Sequence, residues 1–107
     1  MRWTIVFFDA RVEAAFHRLQ PSFVARFIRY AERMEVYGPD LGMPHTRSMG
    51  GGLFELRLKG PEGAARVFYC VLSGRQVMVL HHFAKKSAKT PLNELFVARE
   101  RMRKLLP

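Results

Sequence analysis

Residues 53–83, LFELRLKGPEGAARVFYCVLSGRQVMVLHHF, decide the fold. They open with a clean alternation: Phe54, Leu56 and Leu58 take one side of the chain and Glu55, Arg57 and Lys59 the other, the period-two signature of a strand with one apolar face. Gly60-Pro61-Glu62-Gly63 then signals a turn. Two runs rich in β-branched and aromatic residues follow, Ala64 to Leu72 and Arg75 to Phe83, separated by Ser73-Gly74. A two-residue separation predicts a tight hairpin. Together these runs predict a three-stranded antiparallel meander.

Working outward, Trp3 to Phe8 has the aromatic and β-branched density of a buried strand, expected over about residues 2–8. Asp9 suits a helix N-cap, and Val12, Ala15, Phe16 and Leu19 follow at the spacing of one apolar helical stripe. Pro21 is tolerated in a first helical turn. A second stripe, Phe23, Val24, Phe27, Ile28, Ala31 and Met34, runs from there to Gly38-Pro39. Residues 38–52, GPDLGMPHTRSMGGG, hold five glycines and two prolines and read as a loop. Pro91 opens a last helix carrying Leu92, Leu95, Phe96 and Met102, with basic residues on its outer side. The expected architecture is α+β in the order βααβββα, a helical hairpin packed on one face of an antiparallel meander. The first strand is expected at an edge or inserted by a long crossover, and the second face is expected to be open.

The chain has 107 residues, 49% hydrophobic and 25% charged, which predicts a single domain over 1–107 and excludes a disordered polymer. Its net charge of +9 is uneven. Residues 1–52 hold seven basic and five acidic residues, residues 53–107 eleven and four, so a polyanion is the natural partner and the second half should meet it. A lone cysteine, Cys70, inside an apolar run points to a packed thiol and a reducing compartment, hence the cytoplasm. The longest N-terminal apolar run is too short for a signal or a membrane span.

Strand arithmetic brings basic groups together. Pairing Lys59 with Ala64 sets Arg57 opposite Arg66, and pairing Leu72 with Arg75 sets Arg66 opposite His81. Arg57, Arg66 and His81 would then form one row, roughly 5 Å apart from strand to strand. Adjacent arginines repel, so such a row suits a phosphate; the alternative is local pairing with Glu55 and Glu62. Lys59, Lys85, Lys86 and Lys89 add charge around this row and are expected to hold flanking phosphates. His81 and His82 point to opposite faces and cannot readily share a metal ion; no metal and no cofactor is expected. His82 and Phe83 read as core residues, and His45 as a loop histidine.

LFELRLKG at 53–60, RVFY at 66–69 and VLHHFAKKSAKTP at 79–91 resemble the HigB-like, phage-derived branch of the RelE/ParE toxin superfamily. The resemblance spans nearly the whole chain. It implies a small toxin encoded beside an antitoxin, a helix-turn-helix protein in the HigB arrangement, and ribosome-dependent endoribonuclease cleavage of mRNA. By position, Arg57 resembles a basic active-site residue of such toxins, Arg66 their phosphate-binding arginine, and Lys86 falls near their later catalytic arginine. No tyrosine follows the last strand where several members carry one, so His81 is the candidate for proton transfer. Metal-free cleavage by 2′-OH attack needs a base, cations and an acid, and Arg57, Arg66, Lys86 and His81 would supply them. ParE-like relatives, which poison gyrase without cutting RNA, share the scaffold, as a non-catalytic RNA-binding module could.

Overall fold

The computed structural model describes residues 2–61, 63–85 and 89–105. The elements are β1 (Thr4–Phe7), α1 (Ala10–His17), α2 (Pro21–Tyr37), β2 (Thr46–Gly50), β3 (Leu53–Gly60), β4 (Gly63–Leu72), β5 (Gln76–Lys85) and α3 (Leu92–Arg103). The five strands form one sheet in the order β1-β5-β4-β3-β2. The fold class is the expected α+β with a helical hairpin, corrected by one strand: β2 lies inside the segment read as loop. Its sequence, TRSMG, has no apolar alternation. It becomes a strand by pairing antiparallel with β3, Arg47 opposite Glu55.

Local chemistry starts the helices where the sequence placed them. The Asp9 carboxylate accepts a hydrogen bond from the Val12 amide at 2.9 Å, capping α1, and Pro21 occupies the first turn of α2. Val12, Phe16, Phe23, Phe27 and Met34 then pack on Leu56, Leu58, Ala65, Val67, Tyr69, Val77 and Val79, one face of the sheet. Each large side chain buried this way contributes about 1.5–3 kcal/mol. β1 lies at an edge and runs parallel to β5 rather than extending the antiparallel meander. It pairs with β5 from Gln76 to Val79, so among the described residues the rest of β5 has no strand on that side.

The opposite face is not open. Leu95, Ala98 and Met102 of α3 cover Leu53, Phe68, Cys70, Leu80 and Phe83, and α3 is tied down by Arg99, which donates to the carbonyls of Met49 and Gly50. Leu92 and Phe96, read from spacing as part of the apolar stripe, are exposed instead. What remains uncovered on this face lies toward the far ends of β3, β4 and β5.

Two irregularities set the register of the β4–β5 hairpin. Ser73, Gly74 and Arg75 form a three-residue turn, with Gly74 at φ 78° and Arg75 at φ 58°, so Leu72 pairs with Gln76 and not with Arg75. Leu80 is then an extra residue: Tyr69 pairs with Val79, but Phe68 pairs with His81. The expected pairing is therefore shifted by two residues. Arg66 faces Phe83, not His81.

Candidate functional site

On the face shared with α3, β3 and β4 carry Arg57 directly opposite Arg66. Both reach one carboxylate. Glu55, two residues before Arg57 and so on the same face, places Oε1 3.7 Å from Arg66 Nε and 4.0 Å from Arg57 Nε. These are ion-pair distances without hydrogen bonds, and both Nε atoms are buried without a hydrogen-bond partner among the described residues. Glu55 is 1% exposed and Arg66 4%, whereas the Arg57 side chain keeps 25%. Burial pulls the Arg66 guanidinium below its ordinary range, Glu55 opposes that shift and Arg57 reinforces it. A guanidinium stays charged even so. The alternative weighed from the sequence, local pairing by Glu55, is what the geometry contains; Glu62 lies outside the described residues.

Around this centre lies a cleft of about 310 Å³ lined by Arg47, Met49, Glu55, Arg57, Lys85, Lys89, Thr90 and Leu95. Thr90 donates its hydroxyl to Glu55 Oε2 at 2.9 Å, pinning the segment before α3 across the cleft. Burial lowers the proton affinity of Lys85, Arg66 lowers it further, Glu55 opposes, and Arg57 and Arg47 add to the lowering. Four cationic side chains thus line the cleft with Glu55 as the carboxylate. Arg66 is buried behind Glu55 and does not line the cleft; its Nη1 donates to the carbonyl of Ala65 at 3.1 Å.

His81 is not in this row. Two slips preserve its face, so it still shares a side of the sheet with Arg57 and Arg66, but Phe83 takes the place beside Arg66. His81 Nε2 instead lies 2.7 Å from Glu94 Oε1 on α3, and its Nδ1 lies 3.4 Å from Arg101 Nη1. His81 lines a different cleft, with His82, Arg11, Arg18 and Arg101. Phe83 is 7% exposed and belongs to the core. His82 faces the helices, its ring edge-on to Phe16 with 5.7 Å between centroids, and burial, then His81 and Arg101, push its pKa down to about 4. His45 is held by the Tyr30 hydroxyl at 3.1 Å. Lys59 is exposed at the end of β3, level with Lys85 across Ala64. Lys86 lies outside the described residues.

Residues 14–103 match the family described as phage-derived protein Gp49-like. The chain belongs to that family. The Gp49-like chain also shares its fold with the E. coli toxin RelE, solved in the free state as a double arginine mutant, at a TM-score of 0.58 and 17% identity, covering 99% of this chain and 100% of that one. No curated protein matches it in sequence.

Sequence reasoning missed two contributors to the Gp49-like cleft. Arg47 sits on β2, whose strand character comes from β3 and leaves no local pattern. Thr90 reaches Glu55 across 35 positions in sequence, a contact that no spacing rule encodes. The carboxylate itself was legible: Glu55 shares the outward side of the alternation with Arg57. Among the described residues no group of three or more His, Cys, Asp or Glu is arranged to hold a metal ion, and no helix is long and apolar enough to cross a membrane.

Proposed function

We propose that this Gp49-like chain is the toxin of a type II toxin–antitoxin module of the HigB-like kind, an endoribonuclease that cuts mRNA on the ribosome without a metal. The observation that carries the reading is the Arg57–Arg66 pair around Glu55, of which Arg57 and Glu55 line a cleft with Arg47, Lys85 and Lys89. Like charges set side by side are unfavourable unless an anion completes them, and one buried carboxylate neutralises only one of the two. A phosphodiester supplies the other negative charge. The RelE-like fold and the Gp49-like family support the same assignment.

In this reading the substrate 2′-OH attacks its adjacent phosphorus, the bond to the 5′-oxygen breaks, and the products carry a 2′,3′-cyclic phosphate and a 5′-OH. Arg57 contacts the nonbridging oxygens, and Arg66, beneath it, holds Glu55 and adds positive potential to the developing phosphorane. His81 is engaged with Glu94, so proton transfer falls to Lys85, the amine in the cleft whose surroundings disfavour its charged form. Lys59, Lys89, Arg47 and Lys86 steer the flanking strand. The partners are mRNA, the ribosome and a cognate antitoxin in the cytoplasm, the antitoxin presenting an acidic or apolar segment to this surface.

The test is cleavage of mRNA on programmed ribosomes, with fragment ends read for cyclic phosphate. Wild type is expected to cut, and Arg57→Ala to cut about 10²–10³-fold more slowly. RNA left whole by a wild-type protein that stalls gyrase would overturn the nuclease in favour of the ParE-like reading.

A further inference from the structure

Beyond the Val79 position β5 has no strand on its outer edge among the described residues, and there α1 from one side and α3 from the other enclose a cleft of about 420 Å³. Arg11 stands in the first turn of α1 and Arg18 is its C-cap, seven residues and therefore roughly 10 Å apart along the helix axis on one stripe. Both are exposed, and neither has an ion pair among the described residues. Arg101 closes the cleft from α3; its Nη1 donates to the Leu80 carbonyl at 2.7 Å, and its guanidinium lies 5.9 Å from the Phe8 ring centroid. The walls include the rings of His81 and His82, and His82 Nδ1 is buried without a hydrogen-bond partner among the described residues. Glu94, already held by His81, is the nearby carboxylate.

We infer that this cleft is a second nucleic-acid site, distinct from the Arg57 cleft, that takes the phosphodiester backbone of a single strand. Arg11 and Arg18 supply charge at two points along one line, which fits successive phosphates of a strand better than a single free anion. Guanidinium planes and the His81 ring give bases a surface to stack on, which an acidic peptide would not use. The site does not depend on bond cleavage, so it stands or falls separately from the nuclease assignment.

Binding of labelled octanucleotides to the full chain, followed by fluorescence anisotropy over a range of salt, tests it. One arm uses 2′-O-methyl RNA, which 2′-OH attack cannot cut, and the other DNA of the same sequence; the arm with the larger loss identifies the strand the site takes. Arg11→Ala with Arg18→Ala, both exposed and checked for folding by circular dichroism, is expected to weaken binding about tenfold. It should also flatten the slope of log K against log salt by about 1.4, two single-strand phosphate contacts. Because the two clefts have different lining residues, the loss should multiply with that of Arg47→Ala. Unchanged affinity and slope in both arms would overturn the inference. So would a poly-glutamate peptide whose binding falls by the same factor in the double variant, which would make this an acidic-protein surface.

Discussion

Arg57 and Arg66 face each other across β3 and β4 and share one buried carboxylate, Glu55, at 4.0 and 3.7 Å. The two guanidiniums are held together by a group that also lines the cleft, so a change at Glu55 or at the buried Arg66 alters stability and charge together.

Glu55→Gln is therefore expected to destabilise the fold by about 3–5 kcal/mol, because it leaves a buried arginine without its counter-charge. Urea denaturation measures the loss. Sulfate or phosphate should restore part of it by standing in for the carboxylate, and a variant indifferent to both would show that Glu55 is not the neutralising group.

The two arginines should separate in their behaviour. Arg57→Ala, at a side chain one-quarter exposed, is expected to shift the urea midpoint little while lowering cleavage about 10²–10³-fold. Arg66→Ala removes a buried partner of Glu55 and should cost stability as well as rate. Circular dichroism and the ribosome assay on both variants check this; equal stability would contradict the burial difference.

His81→Ala is expected to act on the docking of α3 and not on the chemical step. The bond to Glu94 joins β5 to α3 and is partly solvent-screened, so its loss should cost about 1 kcal/mol with cleavage changed less than tenfold. Hydrogen exchange across residues 92–103 would reveal the loosening. A cleavage defect of 10²-fold or more in a folded variant would return His81 to the reaction.

Acid should weaken the fold through His82. Above about pH 6.5 its ring is neutral in folded and unfolded chains alike. Between about 6.5 and about 4 the unfolded chain binds a proton that the folded one refuses, so stability falls as pH falls through that window and levels off below it. The effect is at most about 3 kcal/mol. Urea midpoints at pH 7, 5.5 and 4 for wild type and His82→Gln give the comparison, and the variant should lose this part of the slope.

Much of this was legible from residues alone where local chemistry governs. Asp9, Pro21 and the alternation from Leu53 to Lys59 specify their elements directly, and Gly60 to Gly63 closes a turn whose pairing places Arg57 against Arg66. The β4–β5 hairpin was not legible. An arginine at positive φ is sterically disfavoured, so Arg75 gives no sign of being a turn residue, and Leu80 looks like any strand leucine. Tertiary pairing also overrode local signals in β2, and at α3, where small Ala98 is buried while Phe96 is exposed.

The turn at Ser73–Arg75 and the extra residue Leu80 belong to the same hairpin. Both are insertions that the pairing absorbs: the turn lies between Leu72 and Gln76, and Leu80 is left unpaired between Val79 and His81. The faces of His81, His82 and Phe83 are thus held by their partners on β4 and not by their distance from the turn, so this hairpin carries looped-out residues without exchanging its two sides.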